Sequence, residues 1–331
     1  MVEGNILDKK DLKILAELDR NARQSNAQIG KKVRLSKEVV KYRIDNLVDR
    51  GVVVRFHTVV NYFKVGIRKY KLYLRLTNVD KKKIEEIARY FQKHNKTEWV
   101  VWTTGRWDLI VGFLVSNVNE FDDEIQEVLH KFSKYIGEKA VTTTLYLVHH
   151  EREFLQNDSR KIGEIVYHTA KDFQEKTDKV DLEILKILAN NARISVVDIA
   201  GRLKTTPRIV QYRIKELEKK GIILAYKVHL NPKAMKRVFC KAIIYLTNVT
   251  KPRLKEFINY ASSIEGAIWP QRVLGAWDFE LDMELESYDK FQEIILDLKE
   301  KFSDIIQNHE FCIASKEFKL DLFPGAYGAE R

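Results

Sequence analysis

Two runs of residues in this 331-residue chain are of the kind that meets an anion. One carries Lys37, Lys41, Tyr42 and Arg43, the other Arg208, Gln211, Tyr212, Arg213 and Lys215, all at helical spacing. Lysine and arginine on such a face neutralise phosphates or pair with guanine, a glutamine amide pairs with adenine, and a tyrosine reaches a phosphate or a thymine methyl. An ordinary solvated helix face also looks like this, so the surroundings of each run must decide. Arg43 and Arg213 lie beside the apolar stripe rather than opposite it, and suit bridging between helices as well as contact with DNA. A second recurring group is Gly105-Arg106-Trp107-Asp108 with Gly275-Ala276-Trp277-Asp278, where glycine supplies a positive φ and aspartate caps a turn between strands. Metal and catalytic chemistry find little support. His149 and His150 are adjacent, so on a strand they face opposite sides, and no nucleophile elbow, phosphate loop or zinc-spaced cluster appears. No metal or cofactor is expected.

The elements that position these residues occur twice. At an offset of about 170 positions and without a gap, Asp11-Leu12 aligns with Asp181-Leu182, Asn21-Ala22-Arg23 with Asn191-Ala192-Arg193, and Tyr42-Arg43-Ile44 with Tyr212-Arg213-Ile214. Leu76-Thr77-Asn78-Val79 matches Leu246-Thr247-Asn248-Val249 in the same register. Each repeat opens on three helices. Asp8 and Asp11, or Asp178 and Asp181, start the first; Ser25 with Gln28, or Ser195 with Asp198, starts the second; Ser36 or Thr206 caps the third, which ends at Gly51 or Gly221. Val40, Ile44 and Leu47, with Val210, Ile214 and Leu217, form the buried stripe of that third helix. The β-branched runs 52–60 and 222–230 follow as a two-stranded wing after a helix-turn-helix. Each repeat then reads βαββαβ, an open four-stranded sheet with both helices on one face, and the bare face calls for a partner that the other repeat can supply. Five segments result: winged helix-turn-helix modules at 1–60 and 178–232, ferredoxin-like domains at 61–150 and 233–331, and a linker at 151–177. In the linker, Ile162, Ile165, Val166, Ala170 and Phe173 recur at the period of a short amphipathic helix.

A composition of 45% hydrophobic and 32% charged residues with 14 Gly and 5 Pro excludes collagen-like, low-complexity and wholly disordered chains. The longest apolar stretches are strand-sized, Met1 to Asp11 lacks a signal-peptide core, and Cys240 and Cys312 are the only cysteines, which points to the cytosol and a reduced pair. The net charge of +11 is concentrated: about +5 on each helix-turn-helix segment and about +4 on 61–150, against about −1 on the linker and about −2 on 233–331.

With Leu35-Ser36 followed by Val40, Arg43-Ile44, Leu47 and Gly51, and with Gly105-Arg106-Trp107-Asp108 further on, the chain resembles the Lrp/AsnC (feast/famine) family of transcription regulators, twice over. The resemblance implies an α+β chain with two copies of a winged helix-turn-helix and a ferredoxin-like RAM domain. It also implies double-stranded DNA as partner, sheets paired face to face, one chain standing for a family dimer, and further assembly into homo-oligomers on the nucleoid. The same family places an effector pocket for amino acids or similar small molecules near the glycine-aspartate loop. That brings Gly105, Asp108, Gly275 and Asp278, and the last-strand hydroxyls of Thr142 and Thr144, into view, although the second repeat has Cys312 and Ala314 at the threonine positions. Two other readings stay open at this point: an architectural DNA-compacting protein with little sequence preference, and an enzyme resembling the siroheme decarboxylases, whose Tyr-Arg and His cluster the runs 98–104 and 267–272 lack.

Overall fold

The computed structural model describes residues 7–155, 164–168 and 173–324. The first repeat contains α1 (Lys9–Arg20), α2 (Asn26–Val33), α3 (Lys37–Asp49), β1 (Val53–Val60), β2 (Arg68–Leu76), α4 (Lys81–Lys93), β3 (Thr97–Gly105), β4 (Leu109–Val115), α5 (Val118–Phe132) and β5 (Ile136–His150). A short strand β6 (Glu164–His168) lies between the repeats. The second repeat contains α6 (Lys179–Asn190), α7 (Val196–Arg202), α8 (Pro207–Lys219), β7 (Ile223–Leu230), β8 (Val238–Leu246), α9 (Lys251–Ser262), β9 (Ala267–Gly275), β10 (Phe279–Leu285), α10 (Tyr288–Lys301) and β11 (Ile306–Leu320). No helix among the described residues is long and apolar enough to cross a membrane.

The helix starts follow from local chemistry. Asp8 and Asp178 cap α1 and α6 in reciprocal boxes with Asp11 and Asp181, and Ser25 does the same with Gln28, each pair satisfying amide donors that a first turn leaves open. Ser36 and Thr206 accept from the third residue of α3 and α8, and Pro207 occupies the first position of α8, where a missing N–H costs nothing.

The strands of the two ferredoxin-like domains run in the order β2-β4-β3-β11-β8-β10-β9-β5, and β5 also pairs with β2. The two four-stranded sheets therefore do more than face each other: they close into a barrel whose seams are β3–β11 and β9–β5, each joining one repeat to the other. Helices α4 and α5 cover one sheet from outside over Phe91, Phe113 and Phe121, and α9 and α10 cover the other over Phe257, Phe279 and Phe291. The inner faces enclose Tyr73, Trp107, Trp277 and Cys312, with Tyr73 edge-on to Trp277 at 4.5 Å between ring centroids. The seams explain the repeated glycine. Gly105 (φ +117°) and Gly275 (φ +141°) lie opposite Cys312 and Thr142, and a Cβ on either would run into the carbonyl oxygen of Phe311 or Val141 on the other repeat's last strand.

Two expectations change. The wing is not a hairpin within each repeat; β1 pairs with β7, so one antiparallel ribbon is shared, one strand from each repeat. A single strand after α3 has no second strand of its own to pair with, and the symmetric mate satisfies its backbone groups. The linker segment carrying Ile165 and Val166 is the strand β6, paired with the end of β5, rather than a helix, because the exposed edge of β5 offers it ladder hydrogen bonds. Ile162 and Ala170 lie outside the described residues, and Phe173 is exposed.

Candidate nucleic-acid interface and interior cavity

The second and third helices of each module meet at a tight turn in which Arg34 and Lys204 adopt left-handed conformations. Val40, Ile44 and Leu47 on α3, and Val210, Ile214 and Leu217 on α8, are buried, which turns Lys37, Lys41 and Tyr42, and Arg208, Gln211, Tyr212 and Lys215, outward. Tyr42 and Tyr212 keep 70% and 64% of their surface exposed, although each ring is large and mostly apolar. Lys41 touches Asp45 at 2.7 Å and Lys37 touches Glu38 at 3.5 Å; exposed pairs of this kind are weak enough to be exchanged for a phosphate. Arg43 and Arg213 are placed differently. Arg43 donates to Asp8 and Asp11 at 2.7 and 2.8 Å, Arg213 to Asp178 and Asp181 at the same distances, and those hydrogen bonds raise both guanidinium pKa values. Each arginine ties its outward-facing helix to the N-terminus of the first helix.

The two modules are locked to each other by the repeated Asn-Ala-Arg. Arg23 donates to the carbonyls of Ala192 and Ile194 and lies over the Tyr226 ring; Arg193 donates to Ala22 and Gln24 and lies over Phe56. The Ala22 and Ala192 amides complete the contact on the carbonyls of Tyr226 and Phe56. Helix α1 packs against β7 and α6 against β1, so each module's core includes residues of the other repeat, such as Val228 and Leu230 under α1. The domain boundary after residue 60 falls at the end of β1, but packing does not respect it.

Of the residues expected around an effector, Thr142 and Gly275 lie opposite each other at the β9–β5 seam, and Gly105 lies at the other seam opposite Cys312. Asp108 and Asp278 each accept a backbone hydrogen bond at 2.8 Å, from Leu76 and Leu246, and so fix the strand ends. Thr142 is buried and donates to Glu280, and the buried Thr144 hydroxyl has no hydrogen-bond partner. None of these, nor Gly105 and Gly275, lines the large interior cavity of about 710 Å³ between the shared ribbon and the barrel.

Lys71, Gln271, Asp282 and Glu284 give that cavity a polar wall, and a buried network of Glu280, Lys241 and Arg152 stands behind it. Glu280, fully buried, accepts from Lys71, Lys241, Trp277 and Thr142. Burial alone would raise its pKa, but the Lys241 and Lys71 ammoniums hold it far below the ordinary carboxylate range. Burial pushes Lys71 down to about 8: Glu280 and Asp282 favour its charged form, but desolvation and the neighbouring Lys241 and Lys69 ammoniums outweigh them. Lys241, also buried, stays charged because Asp282 at 2.6 Å and Glu280 at 2.9 Å overcome the desolvation. Arg152 is buried between α1 and β10: its N–H groups donate to Asp19 at 2.7 Å and in bidentate fashion to Glu284 at 2.8 and 2.9 Å. His57 of β1, His149 of β5 and His229 of β7 also line the cavity. His57 Nδ1 and His149 Nε2 are buried without a hydrogen-bond partner, and burial drives both imidazoles to the neutral form. His149 lines the cavity and His150 does not, as alternation on a strand requires. Cys240 sits among the outer helices and Cys312 inside the barrel, so they are on opposite faces of paired strands and remain free thiols, raised by burial to about 12 and about 11.

This polar interior had a sequence signal. Phe279-Glu280-Leu281-Asp282-Met283-Glu284-Leu285 alternates acid with apolar, which ordinarily marks a solvent-facing side; here every residue of the strand is buried. Only closure of the barrel turns that polar face inward.

Comparison with known proteins agrees with the geometry of the modules. The description "winged helix-turn-helix DNA-binding" matches residues 7–54 and 177–223. An HTH-type transcriptional regulator of Pyrococcus horikoshii is 30% identical over 128 residues, 37% of this chain and 85% of that protein. The HTH-type transcriptional regulator LysM of Saccharolobus solfataricus is 30% identical over 125 residues, again 37% of this chain and 85% of its own. One such relative corresponds to a single repeat. Over the whole length, the siroheme decarboxylase NirDL superposes with a TM-score of 0.63, covering 98% of this chain and 95% of its own at 12% identity, a likeness of fold. With helix-turn-helix modules in both repeats and relatives of this kind along a repeat's length, the chain belongs to the Lrp/AsnC family of HTH-type transcriptional regulators.

Proposed function

We propose that one chain acts as a pseudo-dimeric, sequence-preferring regulator that docks α3 and α8 into successive major grooves of one DNA face. The observation that carries this is the lock between modules: the β1–β7 ribbon and the reciprocal Arg23 and Arg193 contacts hold two outward-facing helices in a two-fold frame. Their reading residues differ. Lys41 stands where the second repeat has Gln211, Glu38 where it has Arg208, and Asp45 where it has Lys215. In this reading Lys37, Lys41, Arg208 and Lys215 take phosphates or guanine, Gln211 takes adenine, and Tyr42 and Tyr212 take phosphate or a thymine methyl. Arg43 and Arg213 position the helices through their aspartates. No catalytic step belongs to this reading; the work is done on DNA in the cytoplasm, with homo-oligomers of the chain bridging further sites.

Site selection from random DNA at two salt concentrations tests it. The expected result is an imperfect palindrome with two unlike half-sites, one helical turn or a multiple apart, preferred about a thousandfold over random sequence. Identical half-sites would refute divergent reading, and steep salt dependence without sequence preference would mark an architectural protein instead.

A further inference from the structure

The interior cavity has the features of a built binding site. It lies between the ribbon and the barrel, and about 710 Å³ is within the range that holds a small organic molecule. One wall is aromatic and crosses a repeat boundary: Trp99 meets Phe239 at 6.3 Å between centroids, Phe239 meets Trp269 at 5.9 Å, and Trp269 meets His149 at 5.4 Å. Such a strip favours a flat π-system over an aliphatic one.

Polar groups at the same site narrow the class. His57 and His149 are neutral, and each has one ring nitrogen, Nδ1 and Nε2, without a partner. Buried unpaired nitrogens are costly, and a ligand edge that both donates and accepts would satisfy them. The buried acids at the cavity are already matched, Glu98 with Lys69 at 2.7 Å, and Asp282 and Glu284 with Lys241 at 2.6 Å and Arg152 at 2.8 Å behind the wall, while the exposed Lys233 donates to the Ser315 carbonyl. A charged ligand would have to break one of these desolvated pairs, whereas an uncharged one leaves them intact. We propose that this cavity binds an uncharged heteroaromatic compound of nucleobase or nucleoside size, stacked along the Trp99–Phe239–Trp269 strip and hydrogen-bonded to His57 and His149. The site is independent of the DNA reading.

The test is calorimetric titration of the full chain with adenine, adenosine, guanosine and indole, beside inorganic phosphate, L-glutamate, L-leucine and haemin. At least one heteroaromatic probe is expected to bind with a Kd below about 1 mM, with no heat from phosphate, glutamate or leucine. Replacing His149 with phenylalanine keeps the ring and removes the unpaired nitrogen. That variant is expected to melt no lower than the parent while binding the same probe about fivefold to tenfold more weakly, a combination that a misfolded protein cannot produce. Trp269→Leu is expected to weaken binding at least as much. The proposal is overturned if no heteroaromatic probe binds, if His149→Phe and Trp269→Leu bind it as the parent does, or if an anionic, aliphatic or tetrapyrrole probe is preferred.

Discussion

Replacing Lys71 with methionine should change how the stability of this protein depends on pH. Lys71 is fully buried in the barrel, and burial pushes it from an ordinary lysine value of 10.5 down to about 8. A lysine held low in the folded state weighs against folding while both states carry its proton, below about pH 8. Between about 8 and about 10.5 the folded chain has released a proton that the unfolded chain still binds, so stability rises with pH across that window. At about 1.4 kcal/mol per pH unit the whole gap is worth about 3 kcal/mol, of which about 2 kcal/mol falls between about pH 7.5 and about pH 10. Methionine fills nearly the same volume and does not titrate. Glu280 keeps Lys241, Trp277 and Thr142 as donors, and Gln271 keeps its bond to Asp282. Urea unfolding of parent and variant at matched pH values measures the difference, in which the titration of surface groups cancels. The parent should gain about 2 kcal/mol on the variant over that range. Parallel curves, or a parent that loses ground as pH rises, would show that Lys71 is not held low and that the electrostatics of the barrel interior have been misread.

Arg152→Met strands Asp19 on α1 and Glu284 on β10 as buried carboxylates, so unfolding experiments should register a loss of about 3–5 kcal/mol. A loss below about 1 kcal/mol would mean that water replaces the guanidinium. Arg23→Ala combined with Arg193→Ala removes the charged donors that clamp one module to the other. Selected DNA sites for that double variant should tolerate a wider range of half-site spacings than those of the parent, and an unchanged spacing preference would assign the register to the ribbon alone. Arg43→Ala frees Asp8 and Asp11 and should weaken binding to specific and random DNA alike, without altering which bases are preferred. A changed base preference would make Arg43 a reading residue.

The parts of this structure that were legible in the sequence are those decided by a few neighbouring residues. The caps at Asp8, Ser25, Ser36 and Thr206, the stripe of Val40, Ile44 and Leu47, and the βαββαβ order all follow from local pattern, and the repeat doubled each signal. What was illegible depends on pairing between distant segments. β1 has no second strand in its own repeat, and its mate β7 lies about 170 residues further along the chain, beyond the reach of local pattern. Glycine at 105 and 275 was read as turn chemistry, correctly as to φ, but the strands of the other repeat that leave no room for a Cβ, at Phe311 and Val141, lie far more than a hundred residues away. Acids at 280, 282 and 284 alternate with apolar residues as on a strand with one wet face, and only barrel closure makes that face the interior. The run around Ile165 and Val166 is compatible with either period, and the free edge of β5 settled it as strand.

Fusion of the two halves into one polypeptide also relaxes a restriction on what a barrel of this kind can contain. In a homodimer, an acid near the two-fold axis meets its own image, so every residue there must be self-compatible. Here Glu280 stands where the first repeat has Ile110, Asp282 where it has Gly112, Glu284 where it has Leu114, and Phe239 where it has Lys69. One half is free to supply most of the acids and the other to leave room for them, which gives an interior with unlike sides that no two-fold pair of identical subunits can build. The covalent link has a second effect: the halves cannot exchange with those of related regulators, and the pairing of recognition helices does not dissociate on dilution. A cell holding few copies of this chain would still present every one of them as a complete two-headed unit.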